Sequence, residues 1–107
     1  MKNPFGNMGN IMKQAQAMQA QMAKVQEQAS AKTVTGTAGG GSVTVTANGA
    51  MQLLGIVIDP EVVKSGDVEM VQDLVMAASN DALRKAREMM ADEMKSVTGG
   101  MNVPGLF

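Results

Sequence analysis

The chain contains no Cys, His, Trp or Tyr, and its two aromatic residues, Phe5 and Phe107, lie near its ends. Each absence excludes something. Without Cys there is no disulfide, no thiolate nucleophile and no Cys-based zinc site. Without His, the commonest metal ligand and the usual general base at neutral pH are missing. Carboxylates, Lys and hydroxyls are all that remain for chemistry, so the inventory points away from an enzyme and toward no cofactor and no metal. The acidic residues Asp59, Glu61, Asp67, Glu69 and Asp73 lack the spacing of an EF-hand. Long apolar runs are missing too. The longest, Leu53 to Ile58, is far too short to cross a bilayer, and no apolar stretch follows Lys2 as in a secretory signal. A soluble, cytoplasmic protein is expected, without a membrane partner.

With so few aromatics, the core must be built from aliphatic side chains and Met, which supplies 12 of 107 residues. That length fits one domain over 1–107, and such a core is small for a monomer, which favours a homodimer that shares it. Between Met8 and Ala29 the apolar residues Met8, Ile11, Ala15, Met18, Met22, Val25 and Ala29 alternate at spacings of three and four. This is the seam of one long helix made to lie along another. The helix is predicted to run to about Ala31, after a flexible lead-in containing Pro4, Gly6 and Gly9. It is too long to rest wholly on a core of this size, so part of it should project.

From Lys32 the composition turns to Thr, Val and Gly. Thr33–Ala38 and Ser42–Ala47 alternate at period two, as half-buried strands do, with Gly39-Gly40-Gly41 between them. That glycine run lacks the Lys-Ser/Thr of a phosphate-binding loop and reads as a hairpin connection. Asn48-Gly49 predicts a type I′ turn with positive φ at both residues. The third strand, Met51 to Ile58, is apolar on both faces, with Met51, Leu53 and Val57 on one and Leu54, Ile56 and Ile58 on the other. An edge strand of that kind invites pairing, which places it at a subunit interface. Asp59-Pro60 opens a single helical turn through Val63, and Asp67 caps a second long helix that stops at Thr98-Gly99-Gly100. The expected architecture is α+β: a long N-terminal helix, a three-stranded antiparallel meander and a long C-terminal helix, with flexible segments 1–7 and 99–107.

Several segments resemble, in order and spacing, the YbaB/EbfC family of bacterial nucleoid-associated proteins. They are Asn7 to Gln16, Thr35 to Gly41, Val57-Ile58-Asp59-Pro60, Asp67 to Met70, Asn80 to Ala86, and Thr98-Gly99-Gly100 leading to Pro104-Gly105-Leu106-Phe107. The resemblance covers essentially the whole chain. It implies a tweezer-like homodimer whose helices project from a two-subunit sheet, and binding of double-stranded DNA in the nucleoid with little sequence specificity. It implies no activity and no cofactor. It departs at the first helix, which here is largely Ala and Gln.

Net charge is −1, but its distribution is uneven: +3 over residues 1–40, −4 over 41–80 and zero over 81–107. Lys and Arg that neutralise phosphates release counterions, giving affinity that is independent of sequence and falls with salt. The candidate DNA-binding residues are Lys13 and Lys24 on the first helix with Arg84, Lys85, Arg87 and Lys95 on the last, and Lys32 at the helix–strand junction is a further cation. Arg84 and Arg87 lie one turn apart on one face, with Lys85 expected to point elsewhere. The alternative is a protein-interaction adaptor whose helical arms or tails bind another protein.

Overall fold

A computed structural model describes residues 4–99, with side chains from Met8 to Val97. The element order is α1 (Pro4–Ser30), β1 (Thr33–Ala38), β2 (Val43–Asn48), β3 (Leu53–Ile58), α2 (Pro60–Lys64) and α3 (Val68–Gly99). The α+β architecture is as the sequence predicts. Helix α1 begins at Pro4, inside the stretch read as a lead-in; the expected flexible tail beyond Gly99 lies outside the described residues.

The strands form one antiparallel sheet in the order β1-β2-β3. Val43, Val45 and Ala47 of β2 turn to the helix side and are fully buried, whereas Thr44 and Thr46 between them are not. Helix α3 lies across β1 and β2 on that side. Its contact stripe is Ala78, Ala82 and Ala86, one residue per turn and each fully buried. Three methyl groups in a row make a flat strip, and the helix settles very close to the sheet. The closest point is Gly36 of β1, where a Cβ would stand 2.2 Å from the Ala82 nitrogen and 2.4 Å from the Ala78 oxygen. Leu74, Val75 and Leu83 flank the strip and close the core against Val34, Ala38 and Ile58.

The caps fall where the sequence places them. Asp59 accepts from the Glu61 N–H at 3.0 Å ahead of Pro60, and Asp67 accepts from the Met70 N–H at 3.0 Å to start α3. Gly39, Gly40 and Gly41 all take positive φ (62°, 68° and 100°), a run that side chains beyond hydrogen would oppose.

Two expectations about the second hairpin are corrected. Positive φ falls on Met51 (62°) and not on Asn48 or Gly49, so the turn is not type I′. The loop is longer and is held by Asn48, whose Oδ1 accepts from the N–H groups of Ala50 and Gln52, both at 3.0 Å. Gly49 is required for space instead: a Cβ there would meet the Ala29 oxygen at 2.3 Å. Asn48→Ala strips two loop N–H groups of their acceptor and is expected to cost about 1–2 kcal/mol, read as a lower urea midpoint at unchanged slope.

The second correction concerns the faces of β3. Thr46 pairs with Gly55 but Ala47 pairs with Leu53, leaving Leu54 as the extra residue of a bulge. Leu53 therefore shares the helix-side face with Ile56 and Ile58, rather than the opposite face with Val57. Strand β3 remains exposed nonetheless: Val57 is 69% and Leu54 56% accessible.

Helix α1 enters beside α3, and Lys32 pairs with Glu93 at the junction. Seam residues Met18, Met22 and Val25 are half-buried and Ala29 is buried, but Met8 and Ile11 are exposed. The projection expected from length alone is present. The 27 residues of α1 span about 40 Å, and the molecule measures 81 × 23 × 17 Å.

Candidate nucleic-acid interface

The six predicted cations divide into two groups once their neighbours are known. On α1, the seam occupies one side, and Lys13 and Lys24 lie on the other. They are eleven positions apart, about three turns, so their side chains leave the helix in nearly the same direction roughly 16 Å from each other along its axis. Both are exposed, and neither has an ion-pair or hydrogen-bond partner among the described residues. Glu27 is the one acidic residue of α1. Glu27 follows Lys24 by three positions and so lies on this same outer face, which carries two cations and one carboxylate among Gln and Ala, a net charge of +1.

The cations of α3 are differently placed. Arg84 is gripped from both sides, Nη2 to Asp81 Oδ1 at 2.7 Å and Nη1 to Glu88 Oε1 at 2.9 Å. Lys85 Nζ reaches the other Asp81 oxygen at 3.2 Å. Arg84 and Lys85 therefore converge on one carboxylate, and the expectation that Lys85 points elsewhere is corrected. Two cations facing two anions leave this stretch neutral. The spacing that signals the network, Asp81 to Arg84 and Lys85, Arg84 to Glu88, is the ordinary i,i+3 and i,i+4 pattern of helix ion pairs. Reading the basic residues without their acidic neighbours misses it.

Asp81 does more than neutralise. Its Oδ2 also accepts the backbone N–H of Thr37 at 3.0 Å, which ties α3 to the outer edge of β1. That bond, with Arg84 and Lys85 after it, holds the Asp81 carboxyl down to about 2. Asp81 in turn, followed by Glu88, pushes the Arg84 guanidinium above its usual range. These exposed pairs organise the surface more than they stabilise the fold.

Arg87 is exposed and has no partner among the described residues, and Lys95 is exposed near the end of α3. Arg87 thereby joins Lys13 and Lys24 as a cation available to a ligand, separated from the neutral Arg84–Lys85 group. At the opposite pole, Asp59, Glu61, Asp67, Glu69 and Asp73 are all exposed around α2 and the start of α3, with Lys64 3.7 Å from Glu61. Charge is unevenly spread, with a net −4 around α2 and the start of α3 and a net +1 on α1. Among the described residues no cluster of three or more His, Cys, Asp or Glu is placed to hold a metal, and no helix is long and apolar enough to cross a membrane.

Known proteins share this chain's sequence and its fold. The sequence is 55% identical over 101 residues to a nucleoid-associated protein of Caldanaerobacter subterraneus, covering 94% of this chain and 91% of that protein. A nucleoid-associated protein of Clostridium novyi is also 55% identical, over 94% of this chain and 89% of its own. In structure, an uncharacterised protein of Helicobacter pylori shares the fold at a TM-score of 0.63 and 24% identity, covering 94% of this chain and 98% of its own. The YbaB/EbfC DNA-binding family matches residues 4–101, nearly the whole length, and the chain belongs to that family.

Proposed function

We propose that the protein is a homodimeric, nucleoid-associated DNA-binding protein of the bacterial cytoplasm, which grips duplex DNA through phosphates and reads little of its base sequence. The observation that carries this reading is the pair Lys13 and Lys24, aligned on the outer face of α1 and held in no ion pair among the described residues. Arg87 supplements them, and Lys95 extends the basic side of α3. Arg84 and Lys85 contribute less, because binding a phosphate means giving up Asp81 and Glu88. An interface of isolated Lys side chains, with no aromatic side chain among the described ones, suits sequence-independent contact. The acidic pole around α2 favours an approach with the arm toward DNA.

Dimerisation is supported by β3. Leu53, Leu54, Ile56 and Val57 form an exposed apolar edge, and pairing with the same strand of a second copy covers it without burying charge. Two copies then present two arms and twice the number of cations.

The test is binding to two unrelated duplexes across a salt series. Wild-type protein should bind both with similar affinity, falling linearly on logarithmic axes. Lys13→Glu/Lys24→Glu removes four phosphate contacts per dimer, so the salt slope should shrink by roughly 3–4. Arg84→Ala should change it far less. Unchanged affinity of the double variant at low salt would sink the site assignment. The exposed stripe Met8, Ile11 and Met12 favours a second reading, an adaptor whose arms grip another protein. Failure to retain DNA at any salt, with a stoichiometric protein partner, would decide for it.

A further inference from the structure

The sheet has two outer edges, and their chemistry is opposite. On β1 the Thr37 N–H points away from β2, since it donates to Asp81. The side of the ladder alternates at period two, so the N–H groups of Thr33 and Thr35 turn outward as well. These are the groups that an added strand would use. The Asp81 carboxylate already occupies the last of them, and it draws the charged ends of Arg84 and Lys85 to the same place. A strand laid along β1 would have to displace a carboxylate bound by three donors and cover two cations. The β3 edge has no such guard: no charged residue occurs from Gln52 to Ile58, and Leu53, Leu54, Ile56 and Val57 are exposed along it.

We propose that Asp81 determines the specificity of self-association by closing the β1 edge, so that a second copy of the chain adds at β3 alone. The consequence follows from symmetry. Joining β3 to β3 is isologous and uses up both reactive edges, so assembly stops at two chains. Joining β1 to β3 is heterologous and leaves a reactive edge at each end, so it propagates. Natural sheets commonly protect an edge with inward-reaching charge, and here one helix residue supplies it from a neighbouring layer. The inference rests on the homodimer reading above and adds to it the reason that growth ends.

The test is the mass of the full chain by light scattering across a wide concentration range. The wild type should hold at two chains. Asp81→Ala should grow past two as concentration rises, and adding Thr35→Pro should return it to two, because proline removes an outward N–H without touching the ladder. Asp81→Asn keeps an acceptor for Thr37 but loses the charge that holds both cations. It preserves the fold if Asp81→Ala does not, and should grow beyond two chains at higher concentration than Asp81→Ala requires. Folded variants that both stay at two chains overturn the role of Asp81 while leaving the homodimer intact. Growth that ignores Thr35→Pro also overturns it. A monomeric wild type instead overturns the homodimer reading itself.

Discussion

Gly36→Ala is expected to destabilise the body of the protein severely, with a loss of about 4 kcal/mol or more against a total stability of about 5–15 kcal/mol for a domain of this kind. The added methyl would lie 2.2 Å from the Ala82 nitrogen, 2.4 Å from the Ala78 oxygen and 2.7 Å from the Ala82 Cα. All three are main-chain atoms of α3, so no rotamer change relieves the contact. The helix would have to lift by about an ångström, and an interior packed at crystal-like density has no slack for that. Lifting α3 uncovers Val43 and Val45, the largest fully buried side chains, together with Ala47. A core so poor in bulk has little stabilisation to spare. The measurement is a far-UV thermal melt with urea titration, and a wild-type midpoint for Gly36→Ala would refute the packing described here. Ala82→Gly should not rescue it, since the methyl it deletes is not the obstacle.

Gly36 also marks where sequence reasoning stops. The alternation Thr33–Ala38 places Gly36 on the same face as Val34 and Ala38, and the four-residue recurrence Ala78, Ala82, Ala86 reads directly as a buried helix stripe. Each half of the contact is legible alone. That they meet, and how closely, depends on which strand lies under which turn of α3, and that is set by the whole fold. Leu53 illustrates the same limit within one strand. Period two puts it with Val57, and a single extra residue at Leu54 moves it to the other face. The candidate interface divides similarly. Lys13 and Lys24 are legible as the wet side of an amphipathic helix. Arg84 reads as a free cation when taken alone, although the i,i+3 and i,i+4 spacing to Asp81 and Glu88 carries the signal of its neutralisation. The bond from Thr37 to Asp81, by contrast, joins residues 44 apart and has no local signature.

Gly49→Ala should have the second largest effect on stability, and it should fall on the arm rather than on the body. The Asn48-Gly49 pair suggests a turn that needs glycine for positive φ, yet what Gly49 supplies is room. Its Cβ would stand 2.3 Å from the Ala29 oxygen and 2.7 Å from the Met90 sulfur. The sulfur belongs to a flexible side chain and can swing aside. The carbonyl cannot, because it accepts the Lys32 N–H at 3.1 Å as α1 closes, while Gly49 itself donates to the Lys32 oxygen at 3.1 Å. An added methyl therefore levers the end of α1 away from the hairpin and strains the Lys32–Glu93 pair. The expected cost is about 2–4 kcal/mol, below that of Gly36 because one of the two obstacles yields. Hydrogen exchange separates the two glycines. In Gly49→Ala the amides of α1 should lose protection while those of β2 keep theirs, whereas Gly36→Ala should expose both together. Equal loss in α1 and β2 for Gly49→Ala would mean that the arm and the sheet unfold as one unit. On the DNA contacts proposed for Lys13 and Lys24, which ride on that arm, the same substitution should weaken DNA binding even in the fraction that remains folded.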